Sequence, residues 1–210
     1  MIKKHWKLLL VTSLVILLPI LAGVALWNQL PERVPMHWDV NGEVDGWGSK
    51  GVFVFGMPLL LLGFQWLCVL GTLSDPKKKN HGEKILRLVF WIIPVLSIFL
   101  SVLTYFAALG KDVQMETAMP IFIGLVFVIV GNYLPKCKQS YTIGIKIPWT
   151  LNSEENWNKT HHFAGWLWVF CGFGMMIAGL AGAFWVFFVA VFIMVIPPVL
   201  YSYLLYRKGI

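Results

Sequence analysis

The chain has 210 residues, of which 58% are hydrophobic and 13% are charged, about half the charged share of an ordinary soluble domain. The mean hydropathy is +0.73, and the formal net charge is +7. Because the apolar residues come in long blocks, this composition excludes a soluble globular enzyme and a disordered protein. The three cysteines are odd in number, so no disulfide framework is predicted, and the sequence predicts no cofactor.

Five stretches of the chain lack Asp, Glu, Lys and Arg and approach or exceed the roughly 20 apolar residues with which a helix crosses a bilayer. They cover residues 8–31, 51–74, 88–110, 117–135 and 163–206. The last stretch would measure about 66 Å as one helix, twice the thickness of a bilayer, so we predict a turn at residues 179–184. The expected fold is an all-α integral membrane protein, a bundle of six transmembrane helices.

Basic residues indicate the orientation of these spans. With six spans, both termini share one side of the membrane with residues 75–87 and 136–162, and this side holds 14 of the 17 Lys and Arg residues. Because basic flanks resist translocation, we expect both termini to be cytoplasmic. The run from Lys77 to Lys79 then contacts anionic lipid headgroups, and direct nucleic-acid binding is not expected.

The first span follows Lys3, Lys4 and Lys7, as the apolar core of a signal peptide would. This span is longer than the apolar core of a typical signal peptide, which has about 7 to 15 residues. We therefore expect it to be retained as the first helix of the bundle.

The third span carries polar side chains on one helix face, at Ser97, Ser101, Thr104 and Tyr105. Hydrogen bonds between helices are the interpretation that we favour. A path for a polar substrate would instead make the chain a small transporter or a lipid-handling protein. The spans, however, lack the ionisable residues that proton-coupled transporters carry near the membrane midplane.

In the fifth span, Gly165, Gly172 and Gly179 recur every seven residues. Small residues in such a stripe let two helix backbones approach closely, which is how helices associate in lipid. The stripe therefore predicts helix packing rather than chemistry.

The first polar loop, residues 30–50, has the sequence LPERVPMHWDVNGEVDGWGSK. Its prolines, Pro31 and Pro35, exclude a continuing helix, and Asn41–Gly42 and Asp45–Gly46 are tight-turn signals. We expect a compact extended or hairpin-like segment that lies across the outer face of the membrane.

Four side chains of this loop, those of His37, Asp39, Glu43 and Asp45, could offer nitrogen and oxygen ligands to a cation. Their spacing matches no metal-binding loop with a mechanical rationale. Roles in turn formation and as charge partners are favoured, and no metal site is predicted.

The second polar loop, residues 132–166, follows the fourth span. Pro135 ends that span, and residues 141–147 are predicted to be a short extended piece. Thr150 or Ser153 can cap a new helix, with Glu154 and Glu155 in its first turn against the positive end of the helix dipole. We expect this helix to continue into the fifth span.

Ser153, Glu154 and His161 in this loop have the chemistry of a hydrolase triad. No nucleophile elbow or oxyanion loop accompanies them, and side chains on one helix rarely form a triad. A membrane hydrolase is therefore only a third alternative, and the chain is not expected to be an enzyme.

Together the two polar loops resemble a known family of membrane proteins. The first loop is similar to DUF1648, the domain of unknown function at the N-terminus of SdpI-type proteins, through its two prolines, His37–Trp38, a glycine and Asp45–Gly46. The second loop resembles the SdpI signature, in the same order and spacing. Its matching elements are Asn132 to Pro135, Gly144–Ile145, Pro148 to Leu151, and Trp157 with Thr160–His161.

The SdpI resemblance implies a multi-pass protein of the bacterial cytoplasmic membrane that protects its producer from a secreted killing peptide of the sporulation-delaying type. It also implies signalling, in which the toxin-bound protein draws a small cytoplasmic repressor to the membrane. The expected partners are thus membrane lipids, the toxin peptide and the repressor. The family commonly has an arginine where this chain has His162, which weakens any phosphate contact there because histidine is only partly charged near neutral pH.

The resemblance and the charge pattern give two hypothetical sites. The outer loop, acidic and rich in tryptophan, would recognise a hydrophobic cationic peptide through His37, Trp38, Asp39, Asp45 and Trp47. The cytoplasmic loop would dock the repressor. The candidate docking residues are Tyr141, Gly144, Pro148, Trp149, Thr150, Trp157, Thr160 and His161.

We expect two domains. The first, residues 1–74, is a two-helix DUF1648-like unit with the connector 28–50, and the second, residues 75–210, is a four-helix SdpI-like unit with the signature loop 132–166. The identity of the toxin, the oligomeric state and the mechanism of immunity are left open by the sequence.

Overall fold

The computed structural model describes residues 2–210, and over this range the chain forms seven α-helices and one two-stranded hairpin. A π-helical turn, Val52–Gly56, leads into the second helix, and short 3-10 turns occur at Lys78–Asn80 and Leu134–Lys136. The elements are α1 (Ile2–Ala25), β1 (Arg33–Trp38), β2 (Val44–Ser49), α2 (Met57–Leu73), α3 (Glu83–Ala108), α4 (Met115–Tyr133), α5 (Pro148–Asn152), α6 (Glu154–Leu180) and α7 (Trp185–Arg207).

Six segments in the described part of the chain are long and apolar enough to cross a membrane, which confirms the predicted six-span all-α fold. The 44-residue apolar stretch is divided as predicted, because α6 ends at Leu180 and α7 begins at Trp185. Gly182 in the connection has a φ of 67°, a left-handed conformation that glycine adopts without strain. The side of the membrane on which the termini lie stays a prediction.

The chain divides into two compact units. The first contains the residues up to Leu73 together with Leu86–Met115, and the second contains Ser74–Ile85 together with Glu116–Ile210. Most of α3 thus belongs to the first unit, whereas the sequence division at residue 74 groups it with the later helices. That division into two family domains stays a prediction.

In the first unit, the polar face of α3 packs against α1. The Ser97 hydroxyl donates a hydrogen bond to the carbonyl oxygen of Ile16 at 3.1 Å, and the Tyr105 hydroxyl donates one to that of Pro19 at 2.8 Å. Ser101 and Thr104 are buried on the same face. The prediction that this face serves interhelical hydrogen bonding is confirmed.

In the second unit, the glycine stripe of α6 packs against α4. A Cβ atom added to Gly172 would lie 2.6 Å from the carbonyl oxygen of Gly124, and one added to Gly165 would lie 2.8 Å from that of Gly131. Such distances are shorter than van der Waals contact, so only glycine allows the two backbones to approach this closely. The predicted packing role of the stripe is confirmed.

Residues 33–49 form an antiparallel β-hairpin, as predicted for the first polar loop. The Asp39 carboxylate accepts hydrogen bonds from the backbone N–H groups of Asn41 and Glu43, both at 2.9 Å, and Gly42 has a φ of 81°. The predicted turn at Asn41–Gly42 is therefore confirmed. The second predicted turn, at Asp45–Gly46, is wrong.

Asp45 and Gly46 lie within β2, opposite His37 of β1. A Cβ atom on Gly46 would lie 2.7 Å from Cβ of His37, so this glycine makes room for the cross-strand neighbour. Residues 141–147 also differ from expectation, since residues 141–144 form bends and residues 145–147 belong to no strand.

Candidate functional site in the two polar loops

The hairpin turns one face toward the helices of the first unit and leaves the other exposed. Val34 is fully buried in a cluster with Phe53 and Tyr105, and Met36 packs against this cluster. On the opposite face His37 and Asp45 are exposed, and the Trp47 side chain keeps 52% of its surface accessible. This exposed face is the candidate recognition surface, and it contains three of the five predicted residues.

Lys50 fixes the base of the hairpin. Its side chain is only 12% exposed, and its Nζ atom donates to Glu32 Oε1 at 2.8 Å and lies 4.9 Å from the centre of the Trp27 ring. Lys50 and Glu32 therefore neutralise each other. The acidic groups beyond this pair, at Glu43 and Asp45, keep the exposed end of the hairpin negative.

The two remaining predicted residues of the hairpin have other surroundings. Asp39 closes the turn, and the N–H groups of Glu43 and Asn41 hold the pKa of its carboxyl below the ordinary value. Trp38, at the end of β1, is half-buried. His37 Nδ1 lies 2.5 Å from Asp45 Oδ1 on the exposed face. Among the residues that the structure describes, no group of three His, Cys, Asp or Glu side chains could hold a metal ion.

The second polar loop buries half of its eight predicted residues, namely Thr150, Trp157, Thr160 and His161. Trp157 has no exposed surface, and its Nε1 donates to the carbonyl oxygen of Cys137 at 2.7 Å. The His161 ring stacks on Trp157 with 4.0 Å between ring centres. His161 Nδ1 donates to the Trp157 carbonyl oxygen, and Nε2 accepts from the Ile145 N–H, both at 2.8 Å.

Gly144 passes directly over this stacked pair. Its φ is +114°, in the region that favours glycine, and an added Cβ would lie 2.5 Å from His161 Nε2. The glycine lets the loop backbone approach the histidine closely enough for the Ile145 hydrogen bond. Gly144, Trp157 and His161 thus form one packed unit.

Thr150 lies in the first turn of α5, and Ser153 precedes α6. The Thr150 hydroxyl is buried, donates to the Ile145 carbonyl oxygen at 2.7 Å and accepts from the Ile147 N–H at 3.1 Å. Ser153 Oγ accepts from the Asn156 N–H at 3.2 Å, which confirms Ser153 as an N-cap residue. The short helix α5, which contains Thr150, was not predicted.

Ser153 and His161, two members of the possible hydrolase triad, make other hydrogen bonds in the structure. Ser153 Oγ caps α6, and both ring nitrogens of His161 make hydrogen bonds to backbone atoms. A histidine that uses both nitrogens in this way has none left to act as a general base. These contacts give Ser153 and His161 structural roles.

Of the other predicted docking residues, Thr160 is buried, Gly144 and Trp149 are half-buried, and Pro148 is exposed. The Trp149 ring packs against Tyr203 with 5.1 Å between ring centres. Tyr141 is 50% exposed, and Lys77 Nζ lies 5.4 Å from the centre of its ring. The exposed part of the predicted docking surface is therefore formed by Tyr141 and Pro148.

Sequence reasoning missed Asp75, which organises the start of this loop. The Asp75 carboxylate is buried and accepts hydrogen bonds from the N–H groups of Tyr141 and Thr142 at 2.9 Å, from the Thr142 hydroxyl at 2.7 Å and from the Lys77 N–H at 2.7 Å. Burial alone would raise its pKa, but these bonds outweigh burial and lower it. The signal that the sequence offered was an acidic residue at the start of a lysine-rich loop.

His81 lies beside this carboxylate, with Nε2 3.5 Å from Asp75 Oδ2. Burial lowers the pKa of His81 and outweighs the attraction of Asp75, which acts in the opposite direction. His81 is therefore neutral near pH 7.

Two amides missed by the sequence analysis connect distant parts of the second unit. Gln139 Nε2 donates to the carbonyl oxygens of Thr150 and Leu151 at 2.8 and 2.9 Å, and its Oε1 accepts from Lys77 Nζ. Asn156 Oδ1 accepts from the Ser202 hydroxyl at 2.6 Å, which joins α6 to α7. The signature of the second polar loop is thus mainly a buried hydrogen-bond network.

These features define an all-α, multi-pass membrane protein with an exposed hairpin after its first span and a hydrogen-bonded loop before its fifth. Known families share both regions. The DUF1648 model matches residues 14–62, which include the hairpin, and the SdpI/YfhL protein family matches residues 136–202. The chain is 24% identical over 202 residues to the Immunity protein SdpI of Bacillus subtilis (strain 168), across 95% of this chain and 96% of that protein.

The chain is thus similar to the SdpI family in its C-terminal part and to DUF1648 in its N-terminal part. It is accordingly a multi-pass protein of the bacterial cytoplasmic membrane. No solved structure matches the chain.

Proposed function

We propose that this chain is an immunity protein that protects its bacterium from a secreted killing peptide. The observation that carries this proposal is the similarity to the Immunity protein SdpI, which extends over 95% of the chain and includes both polar loops. Nothing in the roles of Ser153 and His161 favours an enzyme, since both are used to build the loop.

The exposed face of the hairpin is proposed as the surface that recognises the toxin. An indole beside carboxylates suits a peptide that is both apolar and cationic, because the ring offers rigid contact area and the acids attract the charge. Trp47 and Asp45 provide these groups, while the buried face holds the hairpin in place.

This role requires the hairpin to face the exterior. The distribution of basic residues supports that orientation, since 14 of the 17 Lys and Arg residues lie in the termini and in the two connections that share their side. The connections on the other side, including the hairpin, carry six acids and three bases.

Expression of the chain in a toxin-sensitive strain tests the proposal. We expect survival in the presence of the toxin, and we expect Trp47→Ala and Asp45→Asn to reduce protection while the protein stays in the membrane. Asp112→Asn is the matched control, because Asp112 is an exposed acid outside the hairpin on the same predicted side. Unchanged killing by the toxin, with the protein present in the membrane, would contradict the proposal.

Signalling is a second proposed activity. Its support is the exposed Tyr141 ring, which the backbone bond to Asp75 holds outward beside Lys77. We expect Tyr141→Ala to keep protection but to abolish recruitment of the repressor to the membrane after toxin addition. Protection without any recruitment by the unmodified protein would remove signalling and leave immunity intact.

A transporter or lipid-handling protein is the alternative. Its main support, the polar face of α3, is weakened because this face is buried and hydrogen-bonded to α1. The alternative would be favoured if the protein carried a substrate into proteoliposomes and a bulky residue in place of Ser101 abolished this flux.

A further inference from the structure

Two clefts adjoin each other in the second unit, around the beginning of α6. One has a volume of about 450 Å³ and the other about 540 Å³, and Pro135 and Asn158 line both. The smaller cleft is mainly polar, whereas the larger is mainly apolar. Together we call these adjoining clefts the recess, which has one polar and one apolar half.

The polar half has the groups that an anion needs. Lys136 and Lys138 line it together with Asn80 and Gln139, against a single carboxylate, that of Glu154. The Gln139 amide is already used in bonds to Thr150, Leu151 and Lys77, so the two lysines are the main donors. Lys136 Nζ lies 4.9 Å from the centre of the Tyr133 ring. Two ammonium groups suit a phosphate, which accepts several hydrogen bonds at once.

The apolar half is lined by aromatic rings next to a basic helix turn. Trp166 is 57% exposed, and the Phe163 ring packs on Tyr201 with 4.8 Å between ring centres. Lys159 and His162 line the same cleft, and Lys159 forms an ion pair of 2.7 Å with the exposed Glu155. Indole and phenol rings at such a boundary are typical of the headgroup layer of a membrane.

The recess lies where the chain changes from polar to apolar. Residues 154–162 of α6 include four charged or imidazole side chains besides Lys159, whereas residues 163–206 carry no Asp, Glu, Lys or Arg. A molecule that fills both halves must therefore have an anionic end and an apolar end. A soluble phosphate would leave the aromatic half empty.

We propose that this recess binds one anionic phospholipid. Lys136 and Lys138 hold the phosphate, Asn80 contacts the polar headgroup, and the glycerol and the upper acyl chains lie along Phe163 and Trp166. This site is independent of toxin recognition, because it uses none of the hairpin residues.

The test is native mass spectrometry of the full chain in a neutral detergent, titrated with phosphatidylglycerol, phosphatidylcholine or inorganic phosphate. We expect one phosphatidylglycerol per chain, retained at a concentration about tenfold below that needed for phosphatidylcholine. Inorganic phosphate at millimolar concentration should not displace it.

Variants separate this site from general attraction to a basic surface. The double variant Lys136→Gln/Lys138→Gln should weaken phosphatidylglycerol retention about tenfold. The control Lys84→Gln/Lys208→Gln removes the same charge from exposed lysines that do not line the recess and should change retention less than about twofold. Trp166→Ala should also weaken retention, whereas Trp185→Ala, at an exposed indole of α7, should not.

Each other outcome overturns the proposal. Equal losses in the two double variants would mean attraction to the surface charge alone, and equal retention of the two lipids would mean no anion selectivity. Displacement by inorganic phosphate together with an unaffected Trp166→Ala variant would mean a site for a soluble anion. If the Lys136→Gln/Lys138→Gln protein does not fold, Lys138→Gln alone replaces it, with Lys84→Gln as its control.

Discussion

The exposed face of the hairpin and the packed unit of the second polar loop both contain a histidine and a tryptophan, yet they use them in opposite ways. In the hairpin, Trp47 is 52% exposed and His37 pairs with an exposed carboxylate. In the second loop, Trp157 has no exposed surface and His161 bonds to backbone atoms through both ring nitrogens. The same residue types are therefore exposed to solvent in one loop and built into the packing of the other.

The difference has a physical origin in the backbone. A hairpin pairs the facing N–H and C=O groups of its two strands with each other and needs no side chain for them, so its side chains are free to face outward. The second loop has no regular structure between residues 137 and 147, and its backbone groups need side-chain partners. His161, Trp157, Thr150 and Asp75 supply them. This comparison predicts unequal costs for equivalent substitutions in the two regions.

The largest effect is expected from Trp157→Ala. Loss of a fully buried indole and of its hydrogen bond to Cys137 should destabilise the protein by about 3–5 kcal/mol. Trp47→Ala in the hairpin should cost less than about 1 kcal/mol, because that ring is half-exposed. Thermal or denaturant unfolding in detergent measures the stability of both variants. Equal losses of stability would contradict the difference between the two regions.

Asp75→Asn should lower the free energy of unfolding by about 2–3 kcal/mol at pH 7. The amide nitrogen of asparagine cannot accept the hydrogen bonds that backbone N–H groups now donate to the carboxylate. The pKa of Asp75 is lowered on folding, so its stabilising contribution is present above the ordinary value of 3.8 and is lost as the pH falls below it. Unfolding measured between pH 7 and pH 3 should show a steep loss for the unmodified chain and a flatter one for Asp75→Asn. Parallel pH profiles would show that this carboxylate is not the titrating group.

Gly144→Ala should cost about 1–3 kcal/mol, since the φ of +114° and the contact with His161 both disfavour a side chain. Gly174→Ala is the control, because nothing lies within 4 Å of the added Cβ in the middle of α6. The control should be neutral or stabilising by up to about 1 kcal/mol. A Gly144→Ala protein as stable as the control would remove the argument for close packing over His161.

The smallest effect on stability is expected for Asp45→Asn. Its pair with His37 is exposed, and such pairs contribute about 0–1 kcal/mol. The unfolding temperature should stay nearly unchanged while protection against the toxin falls. A large loss of stability would instead mean that the His37–Asp45 pair stabilises the fold, as the packed unit of the second loop does.

Much of the fold could be predicted from the sequence, because the controlling signals are local. Charge-free blocks define the spans, Asn41–Gly42 defines the hairpin turn, and Ser153 with two glutamates marks the start of α6. The spacing of the glycines also predicted their packing role. Each of these signals lies within a few residues of the structure that it determines.

The candidate site was less predictable, because its contacts are long-range. Asp75 meets Tyr141 and Thr142 across more than 60 residues of sequence, and Asn156 meets Ser202 across 46. The predicted turn at Asp45–Gly46 was wrong for the same reason, since pairing of Gly46 with His37 in β1 outweighs the local turn signal. His161 is buried because the loop folds over it, and the spacing of residues along a helix face does not reveal this contact.

The account depends on the hairpin and the second polar loop facing opposite sides of the membrane. In a chain without its native cysteines Cys68, Cys137 and Cys171, the exposed positions 43 and 146 can be tested as Glu43→Cys and Lys146→Cys. A membrane-impermeant maleimide added to intact cells should label position 43 and should reach position 146 only after lysis. Labelling of position 146 in intact cells, with position 43 protected, would contradict the orientation and with it toxin recognition by the hairpin.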